Sequence, residues 1–529
     1  MAAHHDRETA ISLPGAIGSG VGSGRVLATL TGLLFLTFLD TTIMSVTLQD
    51  MQLTLHVAVS SLQWVVNGYA LVFASLMLAF GTLGDRLGRK RVMLAGVVVF
   101  IAGSLFGALA PNIGSLIAAR AIMGVGAAAC EPGTLSILRQ VYPERRARAR
   151  ALGVWAAIAG LALAMGPVIG GILVGAGGWR AIFWFNLAAG VVASVFALLW
   201  VPESSDPESA RFDLAGFLLG PAALALIVFG IITGENSGYS SGRVIALFVA
   251  GAVAAVFFAL AERRSRAPML DLGYLRKPSF SGSLTVAFAT YFGVFSIFFL
   301  TALYLQVVVG YTAYRTATLF VPMAVAMIVA STFAGRWVAR SGPRLPVAVG
   351  CLAAGLGVLS TDIVLMHGTS FVPLVLSLAL AGLGFGIAVV PITSVALSVV
   401  PAKHSGMAAS ATTTSREVGT VVGVAALGAL FNGRLISFLT QRLIELGVPP
   451  QLRSVVLNAV VTGQVSSGGQ GAISQAEKQY GPVVARVIQA AYEALHSGLT
   501  ISLFVASGVI LASGLVAWFT FLPESLPPE

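Results

Sequence analysis

Fourteen apolar runs, each close to the length needed to cross a bilayer, leave this chain few folds to choose from. A hydrocarbon core about 30 Å thick needs roughly 20 apolar residues wound as helix. Such runs fall at 26–48, 62–83, 92–110, 115–138, 150–175, 181–201, 213–233, 243–261, 281–309, 316–337, 345–366, 371–400, 407–432 and 498–522. Backbone amides in lipid must be satisfied within their own segment, so the runs are helices. Only 10% of the 529 residues are charged and 57% are hydrophobic, against about 25% charged in a soluble domain. The expected fold class is all-α integral membrane.

Charge orients the runs. An even number of crossings places both ends of the chain on one side. Arg86, Arg89, Lys90 and Arg91, then Arg145, Arg146, Arg148 and Arg150, then Arg263, Arg264 and Arg266 fall on that side, while the short loops opposite hold Arg180, Arg243 and Arg315. Basic loops stay cytoplasmic. A multi-pass protein of the plasma (inner) membrane with cytoplasmic termini is therefore expected, and the net charge of +10 reflects topology rather than nucleic acid. Residues 1–25 and 523–529 read as cytoplasmic tails, the first lacking the apolar core of a signal peptide. Segment 433–497 reads as an outer loop, as a hairpin or short helices near the surface. Cys130 and Cys351 lie inside apolar runs and offer no disulfide framework.

The chain also repeats itself. After the second run it reads Gly81-Thr-Leu-Gly-Asp85-Arg86-Leu-Gly88-Arg89-Lys90-Arg91, and after the tenth Gly335-Arg-Trp-Val-Ala339-Arg340-Ser-Gly342-Pro343-Arg344. Gly81 matches Gly335, Arg86 matches Arg340 and Gly88 matches Gly342 at one constant offset. That offset suits two six-helix bundles, 26–201 and 281–522, separated by two extra helices in 202–280. Gly81 and Gly88 permit close helix approach and a tight turn. Asp85, Arg86 and Arg89 can form a charge cluster across the cytoplasmic mouth, a latch that makes and breaks between states.

Ionisable side chains inside membrane spans are costly and mark function. Asp40 and Arg120 both fall about 8–9 Å from the outer edge of their runs. An arginine neighbour favours an ionised carboxylate, and withdrawing it favours proton uptake, the outline of a proton-coupling site. Glu131, three turns from Arg120, shares its helix face. Glu417 lies near the midplane, where it can attract a cation or carry a second proton, while Arg416 points about 100° away. Asp362 lies near an outer edge. Trp64, Tyr69, Tyr291, Phe292, Phe298 and Tyr304 can line a pocket for flat cations. No metal-ligand spacing appears, and among the histidines His404, at the cytoplasmic mouth, stands out.

Together these motifs resemble the fourteen-helix drug:proton antiporter family of the major facilitator superfamily, over nearly the whole chain. The Gly81–Arg91 stretch is similar to its loop signature, Leu39-Asp40-Thr41-Thr42 to its helix 1 signature, and Arg120-Ala-Ile-Met-Gly124-Val-Gly126 to its helix 4 signature. Gly160, Gly166, Pro167, Gly170 and Gly171 resemble the helix 5 signature of antiporters. Trp179, Arg180, Phe183 and Asn186, and Tyr304-Leu305-Gln306 with Gly310-Tyr311, are also typical. Ser45, Gln49 and Met123 depart from the usual residues, which bears on substrate range. The resemblance implies export of hydrophobic, often cationic compounds in exchange for protons by a monomer that needs no cofactor. None of the four lysines follows a glycine, so no phosphate loop exists for an ATP-driven pump, and the acids have no histidine partners arranged for enzymatic chemistry. A dedicated proton-coupled exporter of one metabolite, antibiotic, lipid or siderophore is the alternative.

Overall fold

The computed structural model describes residues 21–57, 59–205, 214–265, 270–366, 371–400, 405–461 and 482–521. They are helical, with no strand among them. The long helices are α1 Val21–Ile43, α2 Val59–Leu87, α3 Arg89–Ala108, α4 Ile113–Val141, α5 Arg145–Gly177, α6 Arg180–Trp200, α7 Leu214–Ser237, α8 Gly242–Arg264, α9 Pro278–Ser296, α10 Ala313–Ser341, α11 Arg344–Met366, α12 Phe371–Ser398, α13 Ser405–Glu445 and α14 Pro482–Thr520. α9 continues through a π-helical turn, Ile297–Thr301, into Ala302–Val307. Short helices Leu48–Leu55 and Pro450–Val461 follow α1 and α13. Among the described residues twelve helices are long and apolar enough to span a membrane, and two bent pairs raise the number to 14. The bends are 52° in α2, between Ser61–Met77 and Ala79–Leu87, and 41° in α5, between Gly153–Ala162 and Met165–Gly177. Pro167 removes the amide that would bond residue 163 and crowds that carbonyl, which places the α5 break.

Local chemistry sets several ends. Asn112 caps α4, accepting from the Ser115 amide at 2.9 Å, and its own amide turns to the Ser115 hydroxyl in return. Thr312 caps α10 on the Arg315 amide. Gly178 and Gly342 follow α5 and α10 with φ of 69° and 73°, a backbone region only glycine enters cheaply.

The two halves pack alike. In the first, α3 lies on α4 and α6, α2 on α4, and α1 on α5 and α6; in the second, α11 lies on α12 and α14, α10 on α12, and α9 on α13 and α14. Glycine makes the same crossing in both. A Cβ on Gly96 of α3 would stand 2.6 Å from the Gly126 carbonyl of α4, and one on Gly350 of α11 2.8 Å from the Gly384 carbonyl of α12.

Two seams join the halves, α2 against α13 and α5 against α10. We call the end where α1 finishes the outer end, following the charge asymmetry. The α2–α13 seam holds along its length, from Gln63 against Gly428 to Gly81, whose Cβ would lie 3.7 Å from Ser410 Oγ. The α5–α10 seam is joined at the outer end by the Tyr314 hydroxyl on the Ile172 carbonyl and at mid-depth by Gly160 against Met327. Two turns further inward on the same face of α5, a Cβ on Gly153 would meet nothing within 4 Å. Gln49 Nε2 donates to the Gln306 carbonyl at 3.3 Å across the outer end. The halves are thus joined at the outer end, and α5 has no neighbour at Gly153. α7 covers the closed seam, packing on α2 and α13, and α8 packs on α7.

The segment 433–497 is helical over most of its described residues. α13 runs on to Glu445 and α14 starts at Pro482, so each is about 60 Å long, twice the hydrocarbon thickness. Leu435, Leu439 and Leu443 are buried at four-residue spacing, and Arg442 pairs with Glu493 of α14 at 3.1 Å. The extensions form an amphipathic helical pair. His404 lies outside the described residues.

Candidate substrate and proton site

Asp40 on α1 and Arg120 on α4 are both fully buried, and Arg120 Nη1 donates to Asp40 Oδ2. The equal depth expected from the sequence brings them together. Asn186 Nδ2 of α6 donates to the other carboxylate oxygen at 2.6 Å. Arg120 Nε donates to the Val65 carbonyl at 3.0 Å, and its guanidinium lies 4.4 Å from the centre of the Tyr69 ring. Tyr69 in turn donates to the Thr37 carbonyl at 2.9 Å. One ion pair therefore ties α1, α2, α4 and α6. Taking both charges out of water is costly, and each is tolerated only through the other and these added bonds.

Glu131 and Glu417 form a second, less satisfied group. Each is 1% exposed, and the two carboxyls, from opposite halves, lie within electrostatic reach of each other and of Arg416. Arg416 takes its bonds elsewhere, as its position beside Glu417 suggested. Its guanidinium reaches past α13, stands 5.5 Å from the Tyr291 ring, and bonds Thr393 and the Val389 carbonyl of α12. Neither oxygen of Glu131 has a protein partner, nor do Glu417 Oε2 or the side-chain amides of Gln63 and Asn67 on α2. An orphaned buried polar group costs about 1–3 kcal/mol, so this interior is built for something other than its own packing. Gln63 and Asn67 are one turn apart and were invisible to a search for charges; two amides at that spacing in an apolar run are the signal that would have found them.

The remaining sequence candidates are placed as follows. Asp85 does not cross the mouth; it bonds Arg89 Nε at 2.7 Å within the first half, four residues on, because the turn at Gly88 folds α3 directly back. Arg86 is exposed. Gly88 has φ of 107°, and Glu203, following α6, accepts from the Lys90 amide at 3.0 Å and lies 3.6 Å from Arg91. Gly88→Ala is expected to cost about 1–3 kcal/mol through the strained backbone, read as a lower thermal midpoint of the solubilised protein; an unchanged midpoint would refute the strain. In α5, Gly166 and Gly170 pack on Thr42, Ile43 and Val46 of their own half, while Gly160 faces Met327 and Gly175 faces Tyr314 of the other; Pro167 and Gly171 are buried. Of the aromatics, Tyr69 and Tyr291 meet the charged groups. Trp64 instead packs on Phe229 of α7, Phe292 on Phe288 and Phe298 on Phe320. Asp362 and Tyr304 lie apart from the central acids, beside His496, which the sequence reading passed over.

The sequence profile of the Major Facilitator Superfamily matches residues 30–424. The chain is 35% identical over 494 residues to the multidrug resistance protein Stp of Mycobacterium tuberculosis (strain CDC 1551 / Oshkosh), covering 93% of this chain and 91% of that one. It is 33% identical over 422 residues to the methylenomycin A resistance protein of Streptomyces coelicolor, covering 78% and 88%, and 31% identical over 504 residues to the drug efflux pump JefA of Mycobacterium tuberculosis, covering 94% and 97%. A bacterial homologue of the human lysosomal transporter Spinster has the same fold, with a TM-score of 0.65 at 20% identity over 97% of this chain and 100% of that one. The chain belongs to the Major Facilitator Superfamily.

Proposed function

We propose that this protein is a transporter, not an enzyme, that exports hydrophobic compounds, cations among them, from the cytoplasm in exchange for protons. It works as a monomer in the plasma membrane with both termini cytoplasmic, and the proton gradient drives it without a cofactor. The observation that carries the reading is the pair of acid centres buried in the spans: Asp40 held by Arg120, and Glu131 facing Glu417 from the other half. The relatives named for multidrug resistance and drug efflux support it. Both Glu131 oxygens and Oε2 of Glu417 lack protein partners, and on this reading a cation entering from the cytoplasm takes the place of those partners. Rocking the halves about the two seams opens the outer end, and a proton then competes for the acids and releases the compound. Dedicated export of one compound is the second reading, favoured by the relatives named for methylenomycin A resistance alone.

Inverted vesicles with an acid lumen test both. Expected is ethidium uptake, followed by fluorescence, that collapses with a protonophore. Absence of uptake by folded protein, with ethidium and a panel of unrelated cations, would discard multidrug export in favour of the dedicated exporter.

A further inference from the structure

Away from the central acids, three titratable side chains meet at the outer end of the second half. His496 Nδ1 on α14 lies 3.0 Å from the Tyr304 hydroxyl. Thr500, one turn along the same face of α14, donates to Asp362 Oδ1 of α11 at 2.9 Å, and that carboxylate is within electrostatic reach of the imidazole. On the α13 side, Arg434 bonds Ser497 Oγ and Arg442 pairs with Glu493, so the nearby charges there are engaged. His496 Nε2 is enclosed and has no partner. Tyr304 belongs to Ala302–Val307, the piece beyond the π-helical turn that packs on the outer end of the first half and whose Gln306 carbonyl receives Gln49.

A neutral imidazole has one donor and one acceptor nitrogen. With Nδ1 taken by Tyr304, Nε2 is left as an idle N–H or an idle lone pair. A proton makes both nitrogens donors. The bond to Tyr304 becomes charge-assisted, about twice as strong as a neutral one, and the cation stands beside Asp362. We propose that His496, with Tyr304 and Asp362, is a proton-binding site on the outer gate, loaded by external acid, and that its loading holds Ala302–Val307 closed against the first half. The proposal rests on proton-driven exchange and adds to it a further proton site, apart from Asp40, Glu131 and Glu417, that ties outer closure to external pH.

The test uses spin labels on Leu53→Cys and Thr318→Cys, exposed positions of opposite halves at the outer end; the native cysteines are buried. Their separation is measured by pulsed electron resonance in lipid nanodiscs, without substrate or gradient. Acid is expected to shift wild-type protein towards the short separation, with a midpoint between about pH 5 and 8, where imidazole titrates. His496→Gln and, independently, Tyr304→Phe are expected to keep the alkaline distribution throughout. A His496→Gln profile that follows wild type, a wild-type profile that does not move, or one that lengthens in acid would overturn the site. Ethidium uptake is read separately. Lost uptake with the pH response intact rejects the exchange reading and supports the site, and the converse rejects the site alone.

Discussion

Asp40→Asn is expected to abolish proton-driven uptake and to destabilise the protein at the same time. The substitution leaves the Arg120 guanidinium fully buried with a carbonyl, a tyrosine ring and a neutral amide as company. Breaking a buried pair by removing one partner costs about 3–5 kcal/mol, because an uncompensated charge remains. Removing both charges is far less costly, so Asp40→Asn combined with Arg120→Gln should recover much of the thermal midpoint and none of the transport. That split separates function from folding: the double variant is folded and has no acid to load. Solubilised protein gives the midpoints and inverted vesicles the uptake. A stable Asp40→Asn variant that still transports ethidium under an acid lumen would remove Asp40 from the coupling scheme.

The spans were legible because hydropathy alone defines them, and the observed ends lie mostly within a turn of those read from the sequence. The exceptions have physical causes. α13 and α14 overrun their expected ends because Arg434, Gln441, Arg442 and Glu445 on the first, and Arg486, Gln489 and Glu493 on the second, lower the mean hydropathy without breaking the helix. The four-residue spacing of Leu435, Leu439 and Leu443 was the cue, and it belongs to an amphipathic surface helix rather than to a span. Asp40 and Arg120 could be paired from depth because each helix advances a fixed distance per residue. Depth does not give azimuth, so the turn of Arg416 toward Tyr291 and Thr393 could not be read. The partner of Asp85 in this state was open for a related reason. Asp85 and Arg89 are four residues apart across a glycine turn, and a partner that close in sequence forestalls one across the mouth. Neutral polar residues were hardest to see. Asn186, Gln63 and Asn67 carry no charge to mark them in an apolar run, and His496 lies in a stretch whose mean hydropathy does not define a span.

The same change from acid to amide should have the opposite effect on stability at the second centre. Glu131 and Glu417 face each other across the halves with one nearby arginine, and neither Glu131 oxygen has a protein partner. Two like charges at low dielectric disfavour each other, and an orphaned buried group costs about 1–3 kcal/mol. Glu131→Gln is therefore expected to fold at least as stably as wild type, with a midpoint equal or higher, where Asp40→Asn falls. The functional consequence is directed at charge. Losing the attraction of one carboxylate for a bound cation at about 4 Å is worth several kcal/mol at most in a partly polar interior, so a loss of tenfold or more in apparent affinity for ethidium is expected, equivalent to about 1.4 kcal/mol. Uptake of an uncharged hydrophobic substrate should change little in Glu131→Gln. Glu417→Gln carries the further expectation of weakened proton dependence, since Arg416 beside it remains to repel a cation once the acid is gone. If the two single variants lose charged and uncharged substrates alike while remaining folded, the acids serve proton loading alone, and the cation is recognised elsewhere, with Tyr69 and Tyr291 the next residues to replace.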